Sequence, residues 1–203
     1  MSDVLPDPAA TPPQTARVVN LPNALTVLRL VMVPVFAWAL LAHPDSVGWR
    51  FASTAIFVVA ILTDAVDGKV ARKYDLVTSF GKLADPIADK ALTGMAFIGL
   101  SVLGELPWWI TIVILVREWG ITVLRFVVIR YGVIAADRGG KLKTLLQAVA
   151  LTLFLLPLTM VAGLGWLHVV GWVVMVAALV LTVLTGANYV RSALQLRRSA
   201  SRA

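Results

Sequence analysis

The chain has 203 residues, 59% hydrophobic and only 14% charged, and its mean hydropathy of +0.86 is far too apolar for a soluble domain with a polar exterior. Its formal charge of +7, from 18 Lys and Arg against 11 Asp and Glu, fits basic residues held beside membrane spans and facing anionic lipid, so nucleic acid is not an expected partner. Cysteine is absent, which excludes disulfides and thiolate metal sites.

Residues 1–20 carry Pro6, Pro8, Pro12 and Pro13 among small and polar residues, without the apolar core of a cleavable signal; the expectation is a disordered cytoplasmic tail. Apolar runs follow at about 22–42, 50–71, 83–104, 107–131, 142–162 and 166–190, each long enough to cross a bilayer as a helix. The breaks coincide with turn chemistry at His43-Pro44-Asp45-Ser46, Lys73-Tyr74-Asp75, Gly104-Glu105-Leu106-Pro107, Asp137-Arg138-Gly139-Gly140 and Gly163-Leu164-Gly165. The expected fold is an all-α integral membrane bundle of six transmembrane helices over 21–192, followed by a basic cytoplasmic tail at 193–203.

Charge sets the orientation. Lys69, Arg72, Lys73 and Lys82 flank the second connection, Arg130, Arg138, Lys141 and Lys143 the fourth, and Arg191, Arg197, Arg198 and Arg202 the C-terminal end. The alternate connections hold only Arg50 with Asp45, then Glu105, then no charge. Both termini are therefore expected in the cytoplasm, with Trp108, Trp109, Trp166 and Trp172 near the outer boundary.

Four acids converge on one cytoplasmic hairpin: Asp64 and Asp67 near the end of span two, Asp85 and Asp89 near the start of span three. Steps of i, i+3 and i, i+4 put each pair on one helical face. The deeper members lie on the order of 10 Å below the membrane surface, where an uncompensated carboxylate costs several kcal/mol. An all-oxygen cage for Mg²⁺, Mn²⁺ or Ca²⁺ is one compensation. Ion pairs with Lys69, Arg72, Lys82 and Lys90 are the other. Gly68 and Gly81 either let a ligand approach the backbone or simply pack helices.

The run Asp64-x2-Asp67-Gly68-x2-Ala71-Arg72-x8-Gly81-x3-Asp85-x3-Asp89 resembles the complete signature of the CDP-alcohol phosphotransferase family at all eight fixed positions. The resemblance implies a homodimeric bundle of six transmembrane helices that binds a CDP-linked lipid through a divalent-metal site of Mg²⁺ or Mn²⁺, two ions. It makes Asp64, Asp67 and Asp85 metal ligands, Asp89 a ligand and the catalytic base, and Gly68, Ala71, Arg72 and Gly81 the lining of the cytidine diphosphate pocket. Metal-assisted in-line displacement needs no covalent nucleophile, and none is evident: His43 and His168 fall at outer boundaries, and Thr78 and Ser79 have no visible base.

Span four carries Arg117, Glu118 and Arg125, and span five opens on Gly140-Lys141-Leu142-Lys143-Thr144. Arg117 and Arg125 share roughly one face, and an Arg fork suits phosphate. Alternatively Arg117 pairs with Glu118, and Lys141 and Lys143 follow topology alone. Together with Asn20-Leu21-Pro22-Asn23-Ala24-Leu25-Thr26-Val27-Leu28-Arg29 and Gln147, these stretches resemble the phosphatidylglycerophosphate synthase branch of the family over about residues 20–160. That branch implies CDP-diacylglycerol as donor, sn-glycerol 3-phosphate as acceptor and a bacterial inner-membrane enzyme with its active site facing the cytoplasm. It would have Arg117, Arg125, Lys141 and Lys143 hold the acceptor phosphate, and Asn23, Thr26 and Arg29 the donor headgroup. Trp119-Gly120 departs from the small aliphatic residues more usual there. The nearest rival is a cardiolipin synthase of the same family, which takes phosphatidylglycerol as acceptor. A divalent-cation transporter would favour repeated halves and broken helices near the midplane, unlike this single shallow hairpin.

Overall fold

A computed structural model describes the backbone of residues 21–73, 79–128 and 138–200, and the side chains of 24–63, 87–127 and 139–198. Regular structure among the described residues is entirely helical: α1 (Leu21–Leu41), α2 (Val47–Lys73), α3 (Ser79–Val102), α4 (Trp108–Val128), α5 (Arg138–Leu155) and α6 (Gly165–Ala200).

The helix ends follow local chemistry. Ser46 precedes α2, and its carbonyl accepts the first helical bond from the Arg50 amide at 2.9 Å, so the helix starts at Val47 rather than near residue 50. Gly104, at φ 73°, closes α3: the Glu105 amide reaches back to the Leu100 carbonyl at 3.0 Å and the Gly104 amide to the Ser101 carbonyl at 3.1 Å. Pro107 then leads into α4. The fifth apolar run is expected to continue to about 162, yet α5 stops at Leu155, because Pro157 has no amide to donate and disfavours helical backbone at Leu156. In the opposite sense, α6 runs as helix to Ala200, through most of the segment expected as a tail.

Packing centres on α3, which touches α1, α2, α4 and α5, while α6 packs on α5 and α4. Among the described residues α4 and α5 make no direct backbone approach to one another. The core is aromatic and aliphatic, with Phe36, Phe57, Phe97, Leu100, Leu151 and Phe154 all essentially inaccessible. Gly99 lets α1 lie close to α3, since a Cβ there would meet Leu40 Cδ2 at 2.6 Å.

Inside this apolar bundle, hydroxyls are satisfied locally: Thr54, Thr152, Thr182 and Thr185 each donate to the carbonyl four residues back. Ser101 and Thr111 pair across α3 and α4 at 2.7 Å. Arg50, expected beside the first loop, is buried at 2% exposure, and its Nη2 donates to Glu105 Oε2 at 2.7 Å and to the Phe154 carbonyl at 2.8 Å. Of the tryptophans placed at the outer boundary, Trp108, Trp109 and Trp166 are exposed; Trp172 packs edge-on to Phe154 and donates to His168 Nε2 at 3.1 Å.

The outward surface is as apolar as the interior: Leu62, Val116, Leu145, Trp166 and Val173 are each at least 60% exposed. Such continuous apolar cover suits hydrocarbon better than water. Among the described residues, two helices contain windows long and apolar enough to cross a membrane, Ala24–Leu41 in α1 and Gly165–Arg198 in α6.

Candidate active site

Helical backbone runs through all four acids, since α2 continues to Lys73 and α3 begins at Ser79. Steps of three and four residues therefore keep Asp64 with Asp67, and Asp85 with Asp89, on shared helical faces. The side chains of Asn23, Asp64, Asp67, Ala71, Arg72 and Asp85, and the surroundings of Gly68 and Gly81, lie outside the described residues. Asp89 is described: it is partly buried and lines a cavity of about 30 Å³ with Lys90, Thr93, Glu118, Trp119, Thr144 and Gln147. On α1, Thr26 and Arg29 are buried three residues apart on one face, turned into the bundle.

The acceptor-side residues divide. Arg117 and Lys143 meet at Glu118 Oε1, which accepts from Arg117 Nη1 at 3.1 Å and from Lys143 Nζ. Arg117 also ties α4 to α6: its Nε donates to the Thr182 carbonyl at 3.0 Å and its Nη2 to Thr185 Oγ1 at 2.8 Å. These bonds use three of the five guanidinium N–H groups, one on each nitrogen. Gly186 leaves room for this approach, because a Cβ there would stand 3.1 Å from Arg117 Cγ and 3.2 Å from Nε, tight contacts that the arginine stem would have to ease. Arg125 and Lys141 are exposed and do not join the cluster, although Arg125 is near enough for its charge to act on Lys90.

Further polar residues complete the site. Lys90 Nζ donates to the Glu118 carbonyl at 3.2 Å and to the Thr122 hydroxyl, while Gln147 Nε2 donates to Thr182 Oγ1 at 2.9 Å across α5 and α6. From the sequence Lys90 is only a possible ion-pair partner for the acids and Thr122 only the end of the Arg117–Thr122 stretch, and Thr182, Thr185 and Gly186 have no role there. Their signal was polar or small residues recurring at helical spacing in apolar helices, which is common enough in membrane bundles to pass for packing. Beside this cluster, α4 and α6 border an open apolar groove of about 790 Å³ lined by Val116, Gly120, Leu124, Val183 and Val190, with Arg117 on its wall.

The arrangement gathers two ammonium groups and a guanidinium at Glu118, which lines one cavity with Asp89 and Lys90 in an otherwise apolar bundle. It can hold an anionic ester and take a proton from a hydroxyl next to it.

The family profile described as CDP-alcohol phosphatidyltransferase matches residues 19–184. A probable phosphatidylglycerophosphate synthase of Mycobacterium tuberculosis (strain CDC 1551 / Oshkosh) is 56% identical over 183 residues, covering 89% of this chain and 84% of that protein. A CDP-diacylglycerol--glycerol-3-phosphate 3-phosphatidyltransferase of Rickettsia typhi is 39% identical over 177 residues, covering 85% and 96%. A protein of the same description from Bacillus subtilis (strain 168) is 42% identical over 148 residues, covering 68% and 77%. With the aspartate motif on its two helices and the likeness spanning nearly the whole bundle, the chain belongs to the CDP-alcohol phosphatidyltransferase family.

Proposed function

We propose that this protein transfers a phosphatidyl group from CDP-diacylglycerol to sn-glycerol 3-phosphate, giving phosphatidylglycerol phosphate and CMP. The observation that carries the reading is the cluster of Lys90, Arg117 and Lys143 around Glu118, which shares a cavity with Asp89, in a chain whose relatives of that described activity match it along most of their length. The primary hydroxyl of the acceptor attacks the phosphorus bearing the diacylglycerol. A new P–O bond forms, the bond to CMP breaks, and Asp89 takes the hydroxyl proton. Lys143 and the remaining Arg117 N–H groups hold the acceptor's phosphate, with Lys90 adding charge from α3. Thr26 and Arg29 face the donor headgroup from α1.

The donor set fits a hard divalent cation, because four carboxylates sit at paired helical spacing on backbone that is helical at every one of them. Asp64, Asp67, Asp85 and Asp89 would hold Mg²⁺ or Mn²⁺, which supplies neutralising charge to the diphosphate. The groove between α4 and α6 offers an apolar side entrance of a character suited to acyl chains. All six helices cross the bacterial inner membrane, with both termini and the aspartate end in the cytoplasm. The support is the apolar outer surface and the basic excess on the connections at that end.

The test is CMP release by the purified protein with CDP-diacylglycerol and Mg²⁺, comparing glycerol 3-phosphate with phosphatidylglycerol, each with and without EDTA. EDTA-sensitive release with glycerol 3-phosphate alone is expected. Release only with phosphatidylglycerol moves the enzyme to cardiolipin synthesis, and no release with either acceptor overturns the transferase reading.

A further inference from the structure

One carboxylate outside the aspartate motif gathers the polar contacts of three helices. Glu118 on α4 accepts from Arg117 Nη1 and from Lys143 Nζ on α5 through the same oxygen, Oε1. Its backbone carbonyl accepts from Lys90 Nζ on α3 at 3.2 Å and from the Thr122 hydroxyl at 2.9 Å. Thr122 in turn accepts from Lys90. Among the described residues α4 and α5 do not pack directly, so the Lys143–Glu118 pair bridges the space between them.

Two physical consequences follow. Lys143 is a long, flexible side chain that is 4% exposed in an apolar bundle, and without an anion its ammonium would withdraw along its stem toward the surface. Glu118, which lines a cavity with Asp89, keeps it inside. The count of charge matters too. Lys90, Arg117 and Lys143 outnumber the carboxylates of Glu118 and of Asp89, which lines the same cavity, so the cluster favours an anionic acceptor over a neutral one.

We propose that Glu118 is a positioning residue for the acceptor: it presets Lys143 and Arg117 to receive the acceptor's phosphate. The inference rests on the transferase reading above and concerns the same site.

The experiment is steady-state CMP release by the purified full-length protein in wild type, Glu118→Gln, Lys143→Gln and the double variant. Glycerol 3-phosphate is varied at saturating CDP-diacylglycerol, then the reverse, with thermal unfolding measured in parallel. Glu118→Gln is expected to raise the apparent KM for glycerol 3-phosphate on the order of tenfold, with the KM for CDP-diacylglycerol and the unfolding temperature unchanged. The double variant is expected to be no worse than Lys143→Gln, since both changes remove one interaction. An unchanged or lowered acceptor KM in Glu118→Gln overturns the proposal, as do additive losses in the double variant. So does failure of both Glu118→Gln and the charge-preserving Glu118→Asp to yield folded protein, because the role is then structural. A wild type inactive with glycerol 3-phosphate is a separate result: it refutes the transferase reading and takes this inference with it.

Discussion

Arg50 and Glu105 stand 55 residues apart in the chain and 2.7 Å apart in the fold, joining the start of α2 to the turn between α3 and α4. The same guanidinium caps the Phe154 carbonyl near the end of α5, so one side chain fastens three helices at the end opposite the aspartates. The α3 turn is what delivers the carboxylate, because the left-handed Gly104 fixes the direction in which Glu105 leaves the helix.

Arg50→Ala should therefore cost stability and spare chemistry. Removing a buried charge strands its partner, but Glu105 is 30% exposed and regains water, so a loss of about 2 kcal/mol is expected. Thermal unfolding in detergent should show a lowered midpoint while CMP release well below that midpoint stays near wild type. An unchanged midpoint would mean that the three-way clasp contributes nothing.

Asp89→Asn should leave a folded protein that still binds CDP-diacylglycerol, with turnover down about a hundredfold or more, because the amide cannot take the hydroxyl proton. The check is single-turnover CMP release beside a donor-binding measurement. Near-normal turnover would remove Asp89 as the base.

Arg117→Lys should separate charge from geometry. A lysine keeps the positive charge but cannot reach Glu118, the Thr182 carbonyl and Thr185 together, so the apparent KM for glycerol 3-phosphate should rise by on the order of tenfold. Unchanged acceptor kinetics would dismiss the phosphate role.

Gly186→Val tests the same arginine from the other helix. A Cβ at 186 already crowds Arg117, and a branched side chain would force the guanidinium off the Thr182 carbonyl, at a cost of about 1–3 kcal/mol in stability. Gly186→Ala should be much milder, since the Arg117 stem can yield by a few tenths of an ångström. Acceptor KM should rise in the valine variant and scarcely move in the alanine variant; equal effects would show that Arg117 does not depend on the gap.

The six helices were legible because each apolar run exceeds what a single crossing requires and each break carries Gly, Pro or charge. The end of α5 was not, because Pro157 sits inside a run that hydropathy alone joins without interruption. Arg50 read as a loop residue, since its partners Glu105 and Phe154 are distant in sequence and leave no local trace. The site divides in the same way. Paired aspartates announce themselves by spacing along a helix, whereas Glu118 shows in sequence only its neighbour Arg117. That Lys90 and Lys143 also arrive there depends on how α3, α4 and α5 pack.

The length of α6 has a mechanical consequence. Its 36 residues extend roughly 54 Å, well beyond the thickness of a hydrocarbon layer of about 30 Å, so with the proposed topology its last turns would stand clear of the bilayer as a continuation of the same rod. Arg191, Arg197 and Arg198 are thus mounted on a stiff lever and not strung on a loose thread. Inserting one residue beyond 190 would raise Arg197 and Arg198 by about 1.5 Å and swing them about 100° around the axis, redirecting their charge without changing its amount.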